Sequence, residues 1–74
     1  MPDPSTLGRN IARLRAERGL SQSALARLSG VSQNFISDLE GGRRQEPTVG
    51  YVVALARALG VTVDELLREE APDD

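Results

Sequence analysis

The chain has 74 residues, with nine arginines, no lysine, eleven acidic residues, no histidine and no cysteine, and a formal net charge of −2. Without cysteine there is no disulfide framework and no thiolate metal site. Without histidine the usual general base and the commonest metal ligand are missing, so hydrolytic and zinc chemistries have nothing to stand on, and neither an enzyme nor a cofactor is expected.

One domain of this size buries only about 60% of its unfolded surface and depends on regular helix packing or on a partner. No apolar run reaches the roughly 18 residues of a membrane span, and the N-terminus lacks the basic-then-apolar order of a signal peptide. The sequence is therefore expected to be soluble and cytoplasmic, with no membrane partner.

Residues 1–5 contain Pro2 and Pro4 and are read as a flexible arm. From Thr6, the spacing of Leu7, Ile11 and Leu14 predicts a helix over about 6–18, which Gly19 stops. Ser21 is placed to cap a second helix that contains Leu25, Ala26 and Leu28 and ends at Gly30. Ser32 caps a third, with Ile36 and Leu39 inward and Gly41-Gly42 at its end. After the loop RRQEP, Thr48 caps a fourth helix through Leu59, whose apolar stripe is Val49, Val52, Leu55, Ala56 and Leu59. The run TVDE at Thr62 to Glu65 has capping-box spacing and opens a short fifth helix through about Arg68. Residues 69–74 read as an acidic, disordered tail. No stretch alternates with period two, so the expected fold is all-α, a compact five-helix domain over 6–68.

Residues 22–39 carry the informative spacing. Gly30 follows the small Ala26 by four residues and takes a left-handed turn that a side chain would resist. Val31 plugs the corner, and Ile36 and Leu39 fasten the third helix to the second. These are the needs of a helix-turn-helix over about 21–41: two helices at roughly 90–120°, joined by a turn of about 3–4 residues.

The text LSQSALARLSGVSQNFISDLEGG, then PTVGYVVALARALGVTVDELL, with LGRNIARLRAERGL before it, resembles the Cro and lambda-repressor-like family, also called the Xre family. The resemblance covers about 7–68. It implies a five-helix DNA-binding domain acting on double-stranded DNA, with a palindromic operator, as a homodimeric transcription regulator associated with the nucleoid. It also implies base contacts from the first residues of the third helix, which places that role on Gln33, Asn34 and Ser37. Gln33 and Asn34 each carry a donor and an acceptor, the combination that grips adenine, and Asp38 on the same face is placed to accept from cytosine. Phosphate contacts are expected from Gln22 and Ser32 at two helix starts, from Phe35 at the groove edge, from Arg43, Arg44 and Gln45 in the loop, and from Tyr51 in the fourth helix. Family members pair an arginine late in the first helix with the glutamate that ends the third, which here are Arg15 and Glu40.

The charge is polarised. Residues 1–50 hold seven arginines against five acids, a balance of +2, and residues 51–74 hold two against six, a balance of −4. The basic part is thus available to phosphate and the acidic C-terminal region to a partner protein. Val53, Val63, Leu66 and Leu67 are the expected dimer interface. The competing reading is an antitoxin or protein-interaction module on the same fold, with weak or no DNA binding, for which the net negative charge and Asp38 speak.

Overall fold

The computed structural model describes residues 5–44 and 48–69. Expectations for residues 1–4, for Gln45, Glu46 and Pro47, and for 70–74 lie outside the described residues. Among those described, the order is α1 (Thr6–Glu17), α2 (Gln22–Ser29), α3 (Gln33–Glu40), α4 (Val49–Leu59) and α5 (Val63–Leu67), with no strand. α2 packs on both α3 and α4, α1 packs on α3 and α5, and α4 and α5 close the far side.

The 3.6-residue periodicity of the apolar positions sets which faces meet. Leu7, Ile11 and Leu14 of α1, Leu25 of α2, Ile36 and Leu39 of α3, and Val52, Leu55, Ala56 and Leu59 of α4 share one core with Val31 and Leu66. Each helix start is marked by a polar cap. The side chains of Ser5, Ser21, Ser32 and Thr62 accept from the backbone N–H of Gly8, Ala24, Phe35 and Glu65. Thr62 and Glu65 form the reciprocal capping box, and hydrogen bonds from Thr62 hold the Glu65 carboxyl below its ordinary pKa.

Several expectations need correction. Ser5 is not part of an arm but the N-cap of α1. Thr48 occupies the N-cap position of α4 without a side-chain capping bond. Val49, assigned to the apolar stripe of α4, is 79% exposed, and Leu28 of α2 is 62% exposed, because each helix has a narrower buried face than the apolar residues it carries. Leu66, assigned to a dimer interface, is completely buried in the monomer; α5 is too short to spare it, and it is that helix's one fully buried anchor.

Asn10 is the core's buried polar side chain, 3% exposed. Its Nδ2 donates to the carbonyls of Leu66 at 2.7 Å and Arg68 at 2.8 Å. A five-residue helix cannot satisfy its own C-terminal carbonyls, and the α1 amide does so for it. Asn10→Leu is therefore expected to destabilise the domain by about 1–3 kcal/mol in urea unfolding, since it leaves a buried carbonyl unpaired. A wild-type unfolding midpoint would refute that role.

Candidate nucleic-acid interface

Gly30 ends α2 at φ 77° and ψ 7°, and its N–H donates to the Ala26 carbonyl. A Cβ at this position would meet nothing within 4 Å, so backbone conformation and not space demands the glycine. The Val31 N–H then donates to Ser29 Oγ at 3.1 Å and the Val31 side chain is buried. Ser32 restarts the chain as the α3 cap. In this way a turn of three residues carries α3 out of α2 while Ile36 and Leu39, both fully buried, keep its inner face on the core.

The far end of α3 is pinned by charge. Arg15 Nε donates to Glu40 Oε2 at 2.8 Å and Arg15 Nη2 to Oε1 at 2.9 Å, a two-pronged pair, while Arg15 Nη1 donates to the Leu20 carbonyl at 2.8 Å. The side chains are 21% and 9% exposed. The hydrogen bonds to Glu40 raise the Arg15 pKa further above its ordinary value. Gln22 Nε2 adds a third donor to Glu40 Oε1 at 3.0 Å. Thus one carboxylate ties α3 to α1 and α2, and the same arginine ties the pair to the loop between those helices. Gln22, assigned to phosphate, has one amide hydrogen committed inside the protein.

On the outer face, Gln33 and Asn34 are exposed, and their side chains have no hydrogen bond among the described residues. Ser37 and Asp38 are half-buried and both engage Arg43. Arg43 Nε donates to Asp38 Oδ1 at 3.0 Å, and Nη2 donates to the Ser37 carbonyl and to Ser37 Oγ, each at 3.2 Å. Arg44 lies over the Phe35 ring, 4.7 Å from its centroid, and the Tyr51 ring meets the same ring edge-on at 4.6 Å. Phe35 is itself only 8% exposed. The expectation that it stands at the groove edge is corrected: it is a core residue whose outer rim seats Arg44 and Tyr51. Sequence reasoning missed Asn10, the Asp38–Arg43 pair and the Phe35–Arg44–Tyr51 stack. Only Asn10 left a signal, as a polar residue three after Leu7 and four before Leu14 on a buried stripe.

Over residues 6–69 the sequence matches the helix-turn-helix domain family. The chain belongs to the Cro and lambda-repressor-like, or Xre, helix-turn-helix family. This Xre family comprises transcription regulators and not enzymes. An uncharacterized HTH-type transcriptional regulator of Sinorhizobium fredii, y4dJ, is 51% identical over 61 residues, covering 82% of this chain and 78% of the relative. The immunity repressor of Bacillus phage phi105 is 35% identical over 88% of this chain, which spans only 44% of that protein's length. Among solved structures, the biofilm regulator SinR in complex with DNA superposes with a TM-score of 0.81 at 31% identity, covering 84% of this chain and 98% of that one. SinR in complex with SinI also superposes at 0.81, with 32% identity over 85% of this chain and 61% of that one. No helix among the described residues is long and apolar enough to cross a membrane, and no cluster of acidic residues there is arranged to hold a metal ion.

Proposed function

We propose that the chain is a sequence-specific transcription regulator of double-stranded DNA, acting as a repressor at the nucleoid, that inserts α3 into the major groove. The observation that carries this reading is the pair of free amides, Gln33 and Asn34, on the exposed first turn of a helix that is pinned at its other end by Arg15, Gln22 and Glu40. An exposed amide offers a donor and an acceptor to a base edge, and a rigid mount keeps their spacing. The Ser32 hydroxyl, the second N–H of Gln22, Arg44 on its aromatic seat, and the Tyr51 hydroxyl border the same helix and would hold phosphate. The likeness to DNA-bound SinR supports the same mode.

Two copies are proposed to bind a palindromic operator with half-sites about 34–36 Å apart. Leu67, 50% exposed, and Val49, 79% exposed, border an apolar groove completed by Leu7, Val52 and Val63, and with Val53 they supply the self-association surface. The acidic C-terminal region is a second surface, for a partner protein; the likeness to SinR in its complex with SinI favours such a use of this fold.

Selection of bound fragments from random duplexes tests the reading. A palindromic consensus is expected, with log K falling by about 0.9 per phosphate neutralised as log salt rises. Gln33→Ala is expected to cost about 1–3 kcal/mol at a single base pair and to leave the salt slope alone. Recovery of no enriched sequence would refute sequence-specific binding.

A further inference from the structure

We infer that Arg43 reads a base, a guanine in the major groove, and that Asp38 and Ser37 are its positioning residues. This rests on the DNA-binding reading above and changes the division of labour within it. The sequence places Arg43 beside Arg44 as one of two phosphate contacts. The structure treats the two arginines differently: Arg44 rides over the ring of Phe35, which Tyr51 of α4 meets edge-on, while Arg43 is hydrogen-bonded to the polar side chains Ser37 and Asp38 of α3, the helix that carries Gln33 and Asn34.

A guanidinium presents five N–H groups in a fixed plane. In Arg43 the Nε edge is occupied by α3 itself, through Asp38 Oδ1 at 3.0 Å and the Ser37 carbonyl and hydroxyl oxygens at 3.2 Å. Nη1 keeps its two N–H groups with no acceptor among the described residues, on a side chain that is 58% exposed. The arginine is therefore held through Nε and Nη2 and offers Nη1, whose two N–H groups are left to donate to the guanine O6 and N7 acceptors. An exposed ion pair of this kind adds little to stability. Its consequence is direction. Asp38 also cancels the Arg43 charge, so the pair adds no net attraction for a phosphate.

Gly41 supplies an independent observation. Its φ of −89° is open to any residue, so the backbone does not require glycine. A Cβ there would stand 2.6 Å from Arg43 Nη1, 3.1 Å from Cζ and 3.2 Å from Nη2. The missing side chain is the seat of the guanidinium. A methyl at 41 would push out a flexible side-chain tip while leaving the fold in place.

The test uses the duplex selected by the wild-type protein, its single-base-pair variants and a non-specific duplex, each titrated over a salt series, with circular dichroism confirming that every protein variant is folded. Arg43→Lys keeps the charge and loses the fork. It is expected to lose about ten- to a hundredfold discrimination at one G·C pair, with the salt slope and non-specific affinity unchanged. Asp38→Ala releases Arg43 to phosphate, so non-specific binding should tighten, the salt slope steepen by about 0.9, and discrimination at that pair fall. Gly41→Ala should lose the same discrimination with an unchanged unfolding curve. If Arg43→Lys binds every duplex as the wild type does, Arg43 is a phosphate contact and the inference fails. If Asp38→Ala and Gly41→Ala keep full discrimination, the positioning role fails. A wild-type protein that retains no duplex at all overturns the DNA-binding reading beneath it, and shows this before any variant is compared.

Discussion

Glu40→Ala is expected to lower the unfolding free energy by about 3–5 kcal/mol, the cost of leaving one member of a partly buried, hydrogen-bonded ion pair without its partner. The carboxylate is 9% exposed and receives two donors from Arg15 and one from Gln22. Its removal leaves a guanidinium and an amide facing a gap between three helices. Domains of this size hold only about 3–5 kcal/mol from a single core, so the variant should be largely unfolded without denaturant. Urea titration followed by circular dichroism measures this directly. An unfolding free energy within about 1 kcal/mol of wild type would mean that the pair behaves like an exposed one. The double replacement Arg15→Met with Glu40→Leu should recover most of the loss, because apolar side chains of similar volume remove both charges together.

Leu66→Ala is expected to cost about 2–5 kcal/mol, at every protein concentration, because the side chain is fully buried within one copy. Leu67→Ala, one residue on and 50% exposed, should leave the monomer's stability nearly unchanged and weaken self-association in sedimentation. The contrast separates core from interface. If Leu66→Ala destabilises only in proportion to dissociation of a dimer, the residue belongs to an interface. If Leu67→Ala leaves self-association intact, the groove beside Val49 is not where copies meet.

The helices were legible because their signals are local. Ser21, Ser32 and Thr62 announce helix starts by residue type, Gly30 announces a left-handed turn, and Leu7, Ile11 and Leu14 repeat at the helical period. The inward or outward fate of an apolar residue depends instead on which neighbour arrives. Val49 and Leu28 look like Val52 and Leu25 in sequence, and only packing leaves the first two in solvent. Phe35 differs from its sequence expectation for a related reason. Rotation about an isolated α3 puts it on a flank, but Tyr51 of α4 closes over that flank and draws the ring into the core. The pairing of Arg15 with Glu40 rests on family resemblance, since a separation of 25 positions leaves no periodic trace. Asp38 and Arg43 lie five apart across a helix end, a spacing that pairs side chains only when the chain doubles back as it does after Gly41.

All the fastening of α3 lies along its inner face and at its C-terminal end, whereas positions 33 and 34 touch nothing that the fold needs. The chain therefore separates grammar from vocabulary. On the base-reading role proposed for them, new side chains at those two positions are expected to alter which duplex is chosen without asking the remaining residues to compensate, so a small randomised library there should yield folded proteins with different targets. On that same proposal, a single substitution at 33 or 34 is enough to move the domain from one target to another.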